Sequence, residues 1–250
     1  MKRWLYPALL IGLLIGLWQL ASSTGFLAEV LDVEEFLVPS PAEIASSLWE
    51  NRSLLAENAW VTLREIVFGF ACAVAIGLAF AVAMHLSETV RLAAYPLVVA
   101  SQTIPILVLA PILAIWFGYG VVPKLAIIAL VCFFPITIAT LDGLRSVDPA
   151  AVKLMRTLDA SRWQIFQRVE VPTALPSFFS GAKIAAAIAP IGAVFAEWAG
   201  SSEGLGRLIL LDNGQYQVAR MFASVLVLSA IAIVLYSLLA LAERRVVTWR

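Results

Sequence analysis

Side chains that carry chemistry are scarce in this chain. It has two cysteines and one histidine in 250 residues, and only 14% of its residues are charged. Cys72 and Cys132 each sit inside an apolar run, and His85 stands alone at the end of another. No spacing of thiolates and imidazoles therefore suits zinc, haem or an iron–sulfur cluster, and both thiols read as structural. His85, beside Ser87 and Glu88, reads as a solvated boundary residue. The acids are scattered, with no cluster of nucleophile and base, which argues against a membrane-embedded enzyme. The phosphate-cradling pattern G-x-x-x-x-G-K-[ST] is missing. The nearest glycine cluster, residues 200–206, has no lysine to reach a β- or γ-phosphate, so this chain is not expected to hydrolyse ATP. A net charge of zero removes any global field that would draw nucleic acid.

Hydrophobicity is what the chain has in excess. Hydrophobic residues make up 62% and the mean hydropathy is +0.93, whereas ordinary soluble domains are about 25% charged. Six apolar runs, at 4–21, 59–84, 92–116, 122–141, 177–198 and 219–241, approach or exceed the ~17–20 residues a helix needs to cross a bilayer. The fold class is all-α and polytopic, with six transmembrane helices in one domain, 1–250. The first run follows Lys2 and Arg3 and ends at Ala21-Ser22-Ser23, a pattern shared with cleaved signal peptides. It is read here as a retained span. Gly12 and Gly16 form a GxxxG pair that would let helices approach closely. Arg64 and Glu65 lie near the outer end of the second run, where they either pair with neighbours or snorkel.

Prolines and polar residues interrupt the later runs. Ser101-Gln102-Thr103-Ile104-Pro105 falls inside the third, with Pro111 beyond it. Gln102 and Thr103 either line a translocation path or hydrogen-bond between helices. The fourth run contains Pro135. The fifth is rich in alanine around Pro190 and Gly192, as suits a crowded helix seam, and ends at Glu197-Trp198. Glu197 is either a solvated anchor at the helix end or, with Trp198, part of a path. Residues 22–57 form an acidic loop, in which the turn Pro39-Ser40-Pro41 leads into a short segment that is either an interfacial helix or a solvated connector.

The longest polar interruption is 148–176. Ala151, Leu154, Met155 and Leu158 recur at helical spacing with Lys153 and Arg156 opposite, so a short amphipathic helix is expected. Asp159 breaks it. Ser161 with Gln164 has the pattern of a capping box, and a second stripe (Trp163, Ile165, Phe166, Val169) ends before Pro172. Arg145, Lys153, Arg156, Arg162 and Arg168 concentrate positive charge here. With Lys2, Arg3, Arg244 and Arg245 at the ends, they place this loop and both termini inside the cell.

The loop resembles the EAA loop of the inner-membrane permease subunits of ABC importers. By spacing, Lys153, Leu154 and Met155 occupy the EAA positions, Asp159 the glycine, and Val169-Glu170-Val171-Pro172 the I-x-L-P. Lys153 and Asp159 depart from the pattern, and Asp159 keeps a left-handed turn at a cost of ~1 kcal/mol. The phrases DGLRSVDP and ASRWQIF are similar to the nitrate, sulfonate and taurine branch and to permeases for the hydroxymethylpyrimidine precursor of thiamine. The resemblance implies the type I importer permease architecture in a bacterial cytoplasmic membrane, with 142–176 as the coupling loop. It implies a second copy of this chain, two cytoplasmic ATPases carrying ATP and magnesium, and an external solute-binding protein. No cofactor is expected on this chain. Asp159, Ser161, Arg162, Trp163, Ile165, Phe166, Val169 and Pro172 become coupling residues, with Trp163 and Phe166 offering aromatic area to the ATPase. The alternative is an ATP-independent carrier or channel, although Glu65, Lys183 and Glu197 lie at helix ends and not at mid-membrane where coupling charges belong.

Overall fold

The computed structural model describes residues 2–249, excepting the side chains of residues 2–5, 7 and 8, and no strand occurs among them. Along these residues α-helices follow one another: α1 (Lys2–Ser23), α2 (Phe26–Leu31), α3 (Pro41–Glu50), α4 (Arg52–Leu86), α5 (Glu88–Ala100), α6 (Ile106–Phe117), α7 (Val121–Arg145), α8 (Pro149–Thr157), α9 (Arg162–Ile165), α10 (Val171–Trp198), α11 (Leu205–Gly214) and α12 (Val218–Val246). Among the described residues, four stretches are long and apolar enough to cross a membrane: α4, α7, Arg162–Trp198 and α12. A fifth arises if α5 and α6 count as one span, and Leu9–Ser23 is a shorter apolar helix.

The run expected at 92–116 is broken, with α5 and α6 meeting at 103°. A 3-10 turn, Ser101–Thr103, ends α5, and Pro105 caps α6. The cause is local. Pro105 supplies no backbone donor, while the Ser101 hydroxyl donates to the Val98 carbonyl (2.7 Å) and the Thr103 hydroxyl to that of Ala100 (2.8 Å), so side chains compete with the helical ladder.

By contacts the chain forms two compact units, Met1–Val61 with Glu203–Leu228, and Thr62–Ser202 with Ser229–Arg250. In the first, α3 starts at a capping box of Ser40 and Glu43 with Pro41 in its first turn. Gln19 accepts from the Ala42 amide (2.9 Å) and the Ser22 hydroxyl donates to the Val38 carbonyl (2.6 Å), tying α1 to the segment before and into α3. Arg220 of α12 donates to the buried Asp212 of α11.

The second unit is built on α7 and α10, which run antiparallel. A Cβ on Gly143 would meet Ser177, and one on Gly192 would meet Val131. Small residues make this closeness possible: Ala182, Ala185, Ala186, Ala189 and Ala193 are wholly buried against Ile128, Cys132 and Ile136, with Ile66, Phe70 and Ala73 of α4 closing the cluster. Cys132 is a buried free thiol, as its apolar setting predicts. The expected close packing at Gly12 and Gly16 does not occur within the chain, since a Cβ at either would meet nothing within 4 Å.

Candidate functional site

The segment joining α7 to α10 is structured throughout. Asp148 caps α8 by accepting from the Ala150 amide at 2.8 Å. At the other end Asp159 adopts φ 54°, a left-handed conformation. The Ala160 amide bonds the Met155 carbonyl (3.0 Å) and the Asp159 amide that of Arg156 (3.1 Å), which makes a Schellman-like termination with aspartate where glycine is usual. Asp159→Gly is expected to stabilise this turn by about 1 kcal/mol, and Asp159→Val to weaken it. Limited proteolysis between Thr157 and Ser161 would be slower in the first variant and faster in the second.

Ser161 and Gln164 form the expected capping box, with the Ser161 amide donating to Gln164 Oε1 at 2.7 Å. Beyond the box the structure corrects the sequence expectation. The second helix does not stop before Pro172; a π-helical turn, Phe166–Glu170, carries it directly into α10. The wide turn, in which the Val171 amide bonds the Phe166 carbonyl, leaves room for a proline ring that would crowd an α-helical turn. Thr173 and Ala174 therefore already belong to a helix expected to begin near 177.

Burial divides the aromatics. Trp163 is 57% exposed, together with Leu154 and Leu158, whereas Phe166 is only 5% exposed and Ile165 is buried. Phe166 packs with Leu144 and Ala174, so it cannot give its area to a partner as the aromatic pattern suggested. Trp163 stacks on it at 5.3 Å and 24°. Arg156, Arg162 and Arg168 are also exposed, with Val169 and Pro172 half-buried. His85 is also corrected: its side chain is 9% exposed, and Nε2 lies 2.7 Å from Glu170 Oε2. The sequence suggests a solvated boundary residue because the partner lies far along the chain.

The other candidates lie at the α5–α6 break and the end of α10. Gln102 and Thr103 are exposed, and Thr103 bonds within its own turn. Trp198 packs edge-on against Phe195 at 5.6 Å. Glu197 is 0% exposed and accepts from the Thr62 hydroxyl at 2.6 Å, which rules out a solvated anchor. Nearby in this unit, Lys124 donates to Glu65 and to the Ser201 hydroxyl, both at 2.7 Å. Of the two fates open to Glu65, pairing is the one realised. Sequence reasoning misses Lys124 and Ser201 as members of this cluster, and no local signal marks them. Among the described residues no group of His, Cys, Asp and Glu could hold a metal ion.

Comparison with known proteins gives a consistent answer. Residues 73–248 match the family model for a binding-protein-dependent transport system inner membrane component. A probable ABC transporter permease protein of Haemophilus influenzae is 38% identical over 94% of this chain and 93% of its own length. A formylaminopyrimidine transport permease protein of Halalkalibacterium halodurans is 36% identical over 98% of this chain and 96% of its own. Among solved structures, the MetNI methionine ABC transporter in inward-facing conformations superposes with a TM-score of 0.66 at 19% identity, covering 80% of this chain and 97% of that one. The last of these bears on the fold alone.

Proposed function

This chain belongs to the family of inner-membrane components of binding-protein-dependent transport systems, and we propose that two copies of it line one pathway through the bacterial cytoplasmic membrane. As a permease subunit of an ABC importer it is a transport component and not an enzyme. Its power comes from ATPase partners and its solute from a binding protein. In this reading the 142–176 loop and both termini face the cytoplasm, and the two ATPases hold ATP and magnesium. Gln102, Thr103 and Trp198 serve the pathway, while Glu197 acts behind it through Thr62. A thiamine-precursor pyrimidine is the solute favoured, on the strength of the relative from Halalkalibacterium halodurans; a sulfonate, nitrate or taurine is second.

One observation carries the coupling assignment. Trp163, Leu154 and Leu158 are large apolar side chains left exposed on a structured polar loop between two spans, with exposed Arg156, Arg162 and Arg168 in the same stretch of chain. An exposed tryptophan with leucines and arginines nearby in the chain is the composition of a protein interface. ATP-driven closure of the partner would pull this surface and, through α10, rock the spans between inward and outward access. Trp163→Asp is expected to cost about 2 kcal/mol of ATPase binding, roughly thirtyfold, with membrane insertion unchanged. Copurification of the ATPase with tagged permease measures it, and undiminished copurification would overturn the docking assignment. Reconstituted vesicles given ATPase and binding protein test the solute: uptake of hydroxymethylpyrimidine should require ATP, and equal uptake without ATP would favour a carrier.

A further inference from the structure

We propose that His85 and Glu170 are positioning residues that lock the end of α4 to the coupling loop, so that a pull on Trp163 moves two spans together. The proposal rests on the coupling role given to the loop and adds the mechanical path out of it. Three observations converge. His85 is in the last turn of α4, and Glu170 closes the π-turn that links α9 to α10; the two side chains meet at 2.7 Å with each 9% exposed. The His85 ring also lies 6.1 Å from the Phe166 ring, centroid to centroid, and Phe166 is in turn stacked with Trp163. Finally, Val82 of α4 and Val171 of α10 pack on the cluster of Leu144, Phe166 and Ala174 beside the pair.

The connection therefore runs from an exposed tryptophan through a buried phenylalanine to an imidazole on a different span. Apolar contacts alone slide, because dispersion has no preferred direction. A buried hydrogen-bonded pair does not slide: it has one geometry, and leaving either partner unpaired is costly. The π-turn sharpens this. Phe166, Glu170 and Ala174 are all buried and recur at every fourth position across it, so Glu170 faces inward where the helix changes from loop to span. His85 also stands at the C-terminal end of α4, where the helix dipole favours a donor or a positive charge. The ion pair of Arg91 with Glu88 is satisfied within α5 and offers no substitute partner.

The decisive experiment uses the whole importer, permease with ATPase and binding protein, in proteoliposomes. His85→Ala should reduce the stimulation of ATPase activity by loaded binding protein by about tenfold. Basal hydrolysis and the amount of ATPase copurifying should stay as in the native complex. His85→Gln, whose amide still donates to Glu170, should restore stimulation, and the His85→Ala/Glu170→Ala double variant should be no worse than His85→Ala, as expected of residues acting as a unit. Full stimulation in His85→Ala, or no rescue by glutamine, or a multiplicative loss in the double variant, would overturn the lock. Should His85→Ala fail to accumulate, Glu170→Leu, which keeps the apolar packing, is put through the same measurement and must show the same loss. Absence of the ATPase from native preparations would instead sink the coupling role of the loop itself, a distinct result.

Discussion

Lys124→Ala is expected to be the most damaging single truncation outside the helix seam, destabilising the permease by about 3–5 kcal/mol. Lys124 and Glu65 are both largely buried, 2.7 Å apart, on helices long and apolar enough to span a membrane. Removing the ammonium leaves a carboxylate whose Oε2 is already buried without a hydrogen-bond partner. Packing around the pair, which leaves the two side chains 13% and 6% exposed, keeps water from relieving it fully. The Ser201 hydroxyl loses the same donor. The cost belongs to the orphaned charge and not to the lost attraction, which makes the double replacement diagnostic. Lys124→Met with Glu65→Leu removes both charges, fills similar volume, and should recover most of the loss, because an apolar pair commonly matches or exceeds a buried ion pair. Thermal unfolding of the detergent-purified protein, with its yield in the membrane, measures both. A double variant as unstable as Lys124→Ala would show that the pair contributes through the hydrogen bond from Lys124 to Ser201 and not through charge balance.

That pair also shows where the sequence stops being readable. Features set by neighbours a few residues apart could be read from the sequence: the amphipathic α8, the Ser161–Gln164 box, and the left-handed Asp159 that ends the helix as glycine would. Partnerships across the fold could not. Lys124 and Glu65 are 59 positions apart, His85 and Glu170 are 85 apart, and Thr62 and Glu197 are 135 apart. Each member alone resembles an ordinary charged or polar residue near a helix end, and only packing gives it a partner. Pro172 misled for a different reason. Proline is a helix stop in an α-helical frame, but a π-turn changes the frame before the ring arrives. Phe166 and Trp163 lie three apart on one apparent stripe, yet one is core and the other surface, because only one edge of that stripe is covered by Leu144 and Ala174.

Glycine offers the same contrast in energetic form. Gly181→Val should prevent the permease from accumulating, and Gly181→Ala should cost about 2–3 kcal/mol, whereas Gly12→Ala and Gly16→Ala should be neutral or mildly stabilising within a single chain. A Cβ on Gly181 would press on the backbone carbonyl of Pro135 and come within 2.7 Å of the Ala139 Cβ. Neither neighbour has a rotamer to change, so the strain must be met by moving α7 away from α10. That movement would loosen the wholly buried alanines of α10 and the contact of Cys132 Sγ with the Ala185 carbonyl at 3.5 Å. The loosening reaches the middle of the second unit, since α7 and α10 are the elements on which it is built. The 142–176 loop ties these same two helices together, so under the coupling role proposed for it a wider seam would also blunt transmission from Trp163 into α10. Gly181→Ala, if it folds, should thus lower both the unfolding temperature and the ATPase stimulation by loaded binding protein. A normal unfolding temperature in that variant would mean the two helices are not held at the separation seen here.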